Sequence, residues 1–272
     1  MIFPDIEKLK LLVKAAAKEE LLKDFGHSEF EYKEDGSVIT PADLAMQNRL
    51  EYELKSHWPK YDILGEEMTE QQQLAVIQNS VTGKSSGYWC IDPLDGTSNY
   101  AVGLPFFAVS IALIIDGQQQ VGLIYDPIRD EMFTAITGEG AYLNDNRIDH
   151  THTELTGNKP VVAEIDLKRL PKSLAVKLVS ESIFASQRNI GSSAIDWCWM
   201  AAGRFDVYLH GGQKMWDYAA GSLIFKEAGG QSISLDNDDV FRGQLEVRSV
   251  LASHDSNLFD YWYQWIGIPL AE

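Results

Sequence analysis

Apolar residues recur three or four positions apart over residues 4–25, and Gly26 follows the last of them. This spacing predicts an amphipathic helix with a proline near its start. A second helix is predicted to begin at Pro41, with Thr40 as its N-cap, and to end before Trp58, because the residue after Trp58 is a proline. The positions predicted to face inward on the second helix are Leu44, Leu50 and Leu54.

Short β-type runs follow in the middle of the chain, and turn signals such as Asp116-Gly117 separate them. The predicted strands are Tyr61–Leu64, Tyr88–Ile91, Phe106–Ile115, Val121–Tyr125 and Glu131–Ile136. This part of the chain is therefore predicted to form an antiparallel sheet.

After about residue 150, strand and helix patterns alternate, which predicts layered helices and sheets in an α/β (α+β) fold. The predicted strands are Val161–Ile165, Phe205–Leu209, Ile233–Leu235 and Val250–Ala252. The predicted helices are Ser173–Glu181, Ser192–Ala202, Met215–Ala228 and one from about Asp255. Because no linker or repeat separates the halves, about 1–149 and 150–272, we expect one domain with a cleft between them.

The chain is acidic, with 23 Lys and Arg against 40 Asp and Glu and a formal net charge of −17 over 272 residues. Because this charge repels phosphate backbones and anionic lipids, we expect neither nucleic acid nor a membrane as a partner. The most apolar run, Phe106–Ile115, is shorter than the roughly 20 residues that span a bilayer. Charged residues interrupt the first ten positions, so we expect a cytoplasmic protein. Cys90 and Cys198 are predicted to be reduced core thiols.

The most informative segment places two carboxylates, Asp92 and Asp95, at the end of an apolar strand and just before Gly96, Thr97 and Ser98. Carboxylate oxygens in such a place can bind a hard divalent cation, and the free amides of a following helix can accept a phosphate. The alternative is a plain strand with an Asp-Gly turn. A turn of that kind does not account for the second carboxylate, at Asp92.

Two further acids lie at the ends of predicted elements. Glu66 follows the strand Tyr61–Leu64, and Asp217 lies at the start of the helix predicted from Met215. Each has an ordinary explanation, a solvated loop acid for Glu66 and a helix N-cap for Asp217. Neither explains why several element ends carry an acid against an apolar background.

Three segments together resemble the signature motifs of the inositol monophosphatase family, which are magnesium-dependent, lithium-sensitive phosphatases. The segments are Gly65-Glu66-Glu67, Asp92-Pro93-Leu94-Asp95-Gly96-Thr97 and Trp216-Asp217-Tyr218-Ala219-Ala220-Gly221. The lead-in from Lys33 to Asp43 is similar too, and the resemblance extends to about residue 265. It implies a layered αβαβα sandwich of the sugar-phosphatase type, a homodimer and a small phosphorylated metabolite as substrate.

The resemblance also implies a set of Mg²⁺ ligands. These are Glu66, Asp92, the backbone carbonyl of Leu94, Asp95 and Asp217, with Asp43 reaching a further ion through water. Such carboxylates repel one another without cations, and an all-oxygen set suits Mg²⁺. The implied catalytic residues are Glu66, Thr97 and Asp43, with Glu66 and Thr97 orienting and deprotonating the attacking water. Phosphate binding is implied for the segment Gly96, Thr97 and Ser98, and Asp217 is implied to lie near the leaving group.

Substrate specificity is where the sequence departs from the inositol pattern. His210 lies seven residues before Asp217, where the animal enzymes of the family carry a Glu that contacts substrate hydroxyls. The segment from Arg188 to Ala194 resembles the substrate-side loop of the family. The substrate contacts implied in this way are Asn189, Gly191, Ser192, His210 and Asp217. Ordinary alternatives are a structural histidine and a Ser-capped helix start.

The candidate substrates are inositol-1-phosphate, histidinol phosphate, fructose-1,6-bisphosphate and 3′(2′),5′-bisphosphate nucleotides. Ser98 follows Asp-Gly-Thr where the bisphosphate nucleotidase branch usually has a Lys, which favours the monophosphatase branch. A hypothesis from another class is a non-catalytic relative that regulates a partner through its surface. Because a binding module has no need of the acidic residues that match the motifs, the enzyme is favoured.

Overall fold

A computed structural model describes residues 4–33, 36–150 and 160–268. Its helices are α1 (Ile6–Glu20), α2 (Pro41–His57), α3 (Glu70–Val81), α4 (Thr97–Ala101), α5 (Lys172–Ser180), α6 (Ser193–Ala201), α7 (Met215–Glu227) and α8 (Ser256–Ile266). Its strands are β1 (Glu31–Tyr32), β2 (Val38–Ile39), β3 (Asp62–Gly65), β4 (Tyr88–Asp95), β5 (Ala108–Ile115), β6 (Gln118–Asp126), β7 (Glu131–Ile136), β8 (Gly140–Leu143), β9 (Asn146–Ile148), β10 (Val162–Asp166), β11 (Ser186–Arg188), β12 (Val207–Gln213), β13 (Gln231–Ile233) and β14 (Arg248–Ser253).

Two large sheets organise these elements. The first has seven strands in the order β3-β4-β5-β6-β7-β8-β9, in which β3 runs parallel to β4 and the other neighbours are antiparallel. The second has five strands in the order β11-β10-β12-β14-β13. Strand β10 is parallel to both β11 and β12, whereas β14 is antiparallel to β12 and β13. Strands β1 and β2 form a separate antiparallel pair.

The sheets and helices stack in five layers. Successive side chains of a strand point to opposite faces, so each sheet presents two apolar surfaces. Ile91 of β4 packs in a core with α1 and α2, and its neighbour Cys90 packs in a second core with α6 and α7. The second sheet covers the other side of α6 and α7, and its outer face packs against α5 and α8. The architecture is the predicted αβαβα sandwich.

Most predicted elements are present with small shifts of their ends. The prediction that Leu44 faces inward is wrong, because Leu44 is 48% exposed. The buried stripe of α2 runs instead through Met46, Leu50 and Leu54, which are four residues apart and share one face. The prediction of a purely antiparallel central sheet is wrong at its edge, where β3 pairs in parallel with β4.

Other predictions concern the boundary of the halves, the thiols and the membrane. Residues 151–159, which lie where the two halves are expected to meet, are outside the described residues. Cys90 and Cys198 are buried free thiols, as predicted. In the described part of the chain, none of the helices has the length and apolarity needed to cross a membrane.

Candidate active site

Strand β4 places two carboxylates in the interior of the protein. It lies between β3 and β5 and is buried along its whole length. Asp92 pairs with Ser110, but Asp95 pairs with Ala108, so one extra residue of β4 lies between the two pairs. This irregularity bends the strand end. The Asp92 side chain stabilises the bent end of β4 by accepting a hydrogen bond from the Leu94 amide at 3.0 Å.

Helix α7 brings a third carboxylate to the same place. Asp217 is the third residue of α7 and accepts a hydrogen bond from the Lys214 amide at 2.8 Å. The explanation of Asp217 as the N-cap is wrong, because Lys214 occupies that position and Asp217 closes the first turn from inside the helix. Ser110 of β5 donates to the Trp216 carbonyl at 3.0 Å and fixes the start of α7 against the sheet. As a result, carboxylate oxygens of Asp92, Asp95 and Asp217 lie within 4.8 Å of one another. We call these three residues the carboxylate cluster.

Burial and mutual repulsion disfavour the charged forms of the carboxylate cluster. Burial, followed by the charges of Glu66, Asp95 and Asp217, raises the pKa of Asp92 well above its ordinary value. Burial likewise raises the pKa of Asp95 to about 6 and that of Asp217 to about 8. A divalent cation between these oxygens relieves the repulsion, and an all-carboxylate donor set suits a hard cation. The cluster can therefore bind a metal ion.

Glu66 follows β3 and lies outside the tight cluster, although its charge raises the pKa values of all three members. Its side chain accepts a hydrogen bond from Lys33 at 3.1 Å, and Glu67 accepts one from the same amine at 2.7 Å. Burial alone would lower the pKa of Lys33, but the two glutamates outweigh it and raise the pKa. The sequence assigns no role to Lys33, because nothing local predicts its pairing. The ligand role of Glu66 stays a prediction.

Thr97 and Asp43 are in direct contact, although 54 residues separate them. The Thr97 hydroxyl lies 2.8 Å from Asp43 Oδ1 and 2.9 Å from the Leu94 carbonyl oxygen, so its single hydrogen has two acceptors. The other oxygen of Asp43 accepts hydrogen bonds from the amide and the hydroxyl of Thr40 at 2.7 and 2.6 Å. Burial raises the pKa of Asp43. The contact joins the start of α2 to the end of β4.

Gly96 forms the tight corner between β4 and α4. Its φ of +90° lies in the left-handed region, and a Cβ there would lie 2.8 Å from the Phe106 carbonyl oxygen. Only glycine allows this corner without strain. The corner starts α4 next to the carboxylate cluster, where the first amides of a helix have no acceptor within the helix. The predicted phosphate-binding residues Gly96, Thr97 and Ser98 lie on this segment.

The predicted substrate-side loop is joined by hydrogen bonds to β4 and α4. Ser192 caps α6, as its alternative explanation predicts, and its hydroxyl also donates to Asp95. The amide of Ala194 donates to the same Asp95 oxygen at 2.8 Å. Asn99 of α4 donates to the Ile190 carbonyl at 3.0 Å. Asn189 and Gly191 are exposed on this loop.

His210 is only 2% exposed, on strand β12. Its Nδ1 accepts a hydrogen bond from the Gly212 amide at 3.1 Å, and its Nε2 lies 3.3 Å from Asp166 Oδ2. Burial lowers the pKa of His210, which favours the neutral ring. Because Nδ1 accepts from the Gly212 amide, the neutral ring carries its hydrogen on Nε2. Both ring nitrogens therefore have partners within the protein. A direct contact between His210 and substrate stays a prediction, and this geometry favours an indirect role.

Comparison with known proteins agrees with the fold and the motifs. The model of the inositol monophosphatase family matches residues 5–264. A relative named Nus factor SuhB, from Pasteurella multocida, is 39% identical over 205 residues, which are 73% of this chain and 72% of the relative. An inositol-1-monophosphatase from Mesorhizobium japonicum is 33% identical over 261 residues, 91% of each chain. The solved structure of extragenic suppressor protein suhB from Bartonella henselae has a TM-score of 0.79 at 27% identity and covers 97% of this chain and 99% of that chain. This chain belongs to the inositol monophosphatase family.

Proposed function

We propose that this protein is a phosphoric monoester hydrolase that uses Mg²⁺ to release phosphate from a small metabolite. The observation that carries the proposal is the carboxylate cluster, three acids from β4 and α7 whose oxygens lie within 4.8 Å of one another. Membership of a family named for its phosphatases supports hydrolase chemistry. The proposed metabolite is inositol-1-phosphate or a similar phosphomonoester.

The proposed ligands of two Mg²⁺ ions are oxygen atoms of five residues around the end of β4. They are Glu66, Asp92, the Leu94 carbonyl, Asp95 and Asp217, with Asp43 reaching a further ion through water. When bound, the ions neutralise the phosphoryl and leaving-group oxygens and lower the pKa of water.

The chain's own side chains are proposed to orient the attacking water and to take its proton. Thr97 donates to Asp43, so its oxygen can accept a hydrogen bond from that water. Glu66, fixed in place by Lys33, is proposed to accept the proton as water attacks phosphorus in line. The amides of the segment Gly96, Thr97 and Ser98 are proposed to bind the phosphoryl oxygens, and Asp217 to lie at the leaving alkoxide.

Substrate recognition is proposed to involve the loop of Asn189, Gly191 and Ser192, together with Asp217. The bond between Ser192 and Asp95 supports this, because it couples the loop to a proposed metal ligand. His210 is proposed to influence substrate recognition indirectly, by holding Asp166 in place through their contact. The position that carries a hydroxyl-binding Glu in animal enzymes therefore has a different role here.

We further propose a lithium-sensitive, cytoplasmic homodimer. Val102 and Leu104 are 68% and 49% exposed, and they lie on the same loop as Phe106. The Phe106 ring packs against Trp199 with 6.2 Å between ring centroids. This apolar surface is a suitable interface for a second copy of the chain. Light scattering during gel filtration measures the oligomeric state, and a monomeric mass would contradict this part of the proposal.

The experiment is a substrate panel assayed for phosphate release with Mg²⁺ and with a chelator. We expect Mg²⁺-dependent turnover of at least one member among inositol-1-phosphate, histidinol phosphate, fructose-1,6-bisphosphate and 3′-phosphoadenosine 5′-phosphate. A second candidate is a non-catalytic protein that regulates a partner through its surface, and it is supported only by relatives that are named Nus factor SuhB and not phosphatase. Absence of turnover across the panel in folded protein supplied with Mg²⁺ would contradict the proposed hydrolase and favour this second candidate.

A further inference from the structure

We propose that Gln213 is a positioning residue for the metal site, which acts by holding the start of α7, and with it Asp217, against helix α6. The assignment rests on the proposed function, because Asp217 is a proposed ligand of Mg²⁺. Gln213 lies outside the sequence motifs that resemble the family, and its role follows from contacts between distant parts of the chain.

Gln213 is the last residue of β12 and directly precedes Lys214, the N-cap of α7. The Lys214 amide donates a hydrogen bond to Asp217 Oδ2 at 2.8 Å. Between His210 and Gln213 the pairing of β12 with β14 is irregular, so a regular ladder does not fix the bend that leads into α7. Ser110 attaches the start of α7 to the first sheet, and Gln213 attaches it to α6.

The side chain of Gln213 forms two hydrogen bonds in the interior of the protein. Its Oε1 accepts from Trp197 Nε1 at 2.8 Å, and its Nε2 donates to the Tyr208 hydroxyl at 2.9 Å. Gln213 is 1% exposed, and Trp197 and Tyr208 are completely buried. Because an indole nitrogen can only donate, it determines which end of the amide faces Trp197. The two bonds therefore hold the planar amide in one orientation.

Trp197 belongs to the helix that also holds Asp95. The amide of Ala194, three residues before Trp197 on α6, donates to Asp95 Oδ2 at 2.8 Å. Helix α6 is thus bonded to Asp95 at its first turn and, through Gln213, to the start of the helix that carries Asp217. Two members of the carboxylate cluster that come from different elements therefore share one support.

Helices α6 and α7 also touch one turn beyond Asp217. Gly221 lies four residues after Asp217, so the two positions are neighbours on one side of α7. A Cβ on Gly221 would lie 2.4 Å from Trp197 Cβ, which leaves no room for a larger side chain between the helices. Trp197 therefore contacts α7 twice, at Gly221 and, through Gln213, at its start. These contacts set the separation of the two helices next to the turn that carries Asp217.

A support for Asp217 matters because Mg²⁺ binds in a narrow geometry. Its oxygen ligands lie about 2.0–2.1 Å from the ion in a nearly octahedral arrangement. Without the ion, the members of the carboxylate cluster repel one another, and fixed partners keep them in place. Loss of a residue that orients a metal ligand lowers metal affinity by about 10- to 100-fold. Gln213 acts on Asp217 through Lys214, so we expect the lower end of this range.

The experiment measures the Kd of Mg²⁺ by isothermal titration calorimetry, with Mg²⁺ alone and no substrate. Gln213→Met keeps the length of the side chain and removes both hydrogen bonds, and Trp197→Phe removes the indole donor. The control is Ser253→Ala on β14, which removes a buried hydrogen bond of 2.7 Å to the Asp206 carbonyl. We expect Kd to rise about tenfold in Gln213→Met, to rise in Trp197→Phe and to stay unchanged in Ser253→Ala.

Phosphate release over a Mg²⁺ titration gives a second readout. Gln213→Met keeps every proposed metal ligand, so it should regain most of its turnover at saturating Mg²⁺. A variant that merely weakens the fold would not change the Mg²⁺ concentration at half-maximal turnover. The double variant of Gln213→Met and Trp197→Phe should have about the Kd of Gln213→Met alone, because both changes break the same bond.

An unchanged Kd in the two single variants, an equal rise in Ser253→Ala, or additive effects in the double variant would overturn the assignment while leaving the phosphatase intact. Circular dichroism verifies folding, and if Gln213→Met does not fold, Trp197→Phe against Ser253→Ala decides the question. Wild type that neither binds Mg²⁺ nor releases phosphate from any member of the substrate panel would overturn the proposed function and the assignment together.

Discussion

Replacing Asp217 by Asn removes one ionisable carboxyl group from the carboxylate cluster and changes little else. The amide has nearly the same shape, and its oxygen can still accept the hydrogen bond that the Lys214 amide gives to Asp217 at 2.8 Å. We expect Asp217→Asn to make the metal-free protein more stable than wild type. The same substitution should abolish turnover, because Asp217 is a proposed charged ligand of the metal.

The size of the gain follows from the pKa of Asp217. Burial, followed by the charges of Asp95 and Glu66, raises this pKa from 3.8 to about 8. An acid whose pKa is raised in the folded state destabilises that state progressively as the pH rises from its unfolded value towards its folded value. At pH 7 the penalty is on the order of 4 kcal/mol, since each pKa unit corresponds to about 1.4 kcal/mol. Removing most of it should raise Tm by about 4–10 °C.

Added Mg²⁺ should reverse the order of stability, so that wild type becomes more stable than Asp217→Asn. A ligand that binds only the folded state stabilises it in proportion to the logarithm of its concentration above Kd. Wild type should therefore gain stability as Mg²⁺ is added, because the ion neutralises the carboxylate cluster. Asp217→Asn should gain less, because its affinity for the ion is reduced.

The assay is thermal unfolding in chelator and in Mg²⁺, across a pH series from about 5 to 8. The stability difference between variant and wild type in chelator should grow with pH over this range. Asp236→Asn, an exposed carboxylate after β13, is the matched control and should show no such dependence. If Asp217→Asn had a lower Tm than wild type in chelator at every pH, burial and repulsion within the carboxylate cluster would not destabilise the metal-free protein, and the prediction would be refuted.

Three further predictions concern the residues around the carboxylate cluster. Thr97→Ala and Glu66→Gln should each lower kcat more than they raise KM, because both groups are proposed to act on the attacking water; a change in KM alone would make them ground-state binding residues. Gly96→Ala should destabilise the fold by about 1–3 kcal/mol in urea unfolding, because its φ is +90° and its Cβ would meet a carbonyl oxygen at 2.8 Å; an unchanged midpoint would contradict the strain. Ser192→Ala should cost about 1 kcal/mol as a lost N-cap of α6, and unfolding midpoints for it and for Ser192→Thr test whether the hydroxyl is the cause.

Local patterns explain why much of the fold could be predicted. Strand β7 was predicted with the bounds that it has, Glu131–Ile136, and α7 within one residue, because their apolar periodicity is strong. Helix α3 was not predicted, because only Gln73 and Val76 of its twelve residues are buried and its sequence carries little periodicity. The exposed Leu44 shows that a leucine in a helical segment need not lie on its buried face.

The candidate site could also be predicted only in part. Asp92, Asp95 and Asp217 could be predicted from local motifs, and the fold brings them together. The contacts around them depend on tertiary structure that no local pattern encodes. The bond from Ser192 to Asp95 spans 97 residues, and the bond from Thr97 to Asp43 spans 54.

The central claim is that Asp92 belongs to a metal site that this protein uses to hydrolyse phosphomonoesters. The most direct measurement is the steady-state release of phosphate by wild type and Asp92→Asn over a Mg²⁺ titration, with circular dichroism to verify folding. We predict saturable Mg²⁺-dependent turnover in wild type and a loss of about a hundredfold or more in the variant, since a charged ligand is removed. Equal turnover by the two proteins, or turnover by wild type that persists in chelator, would contradict the account.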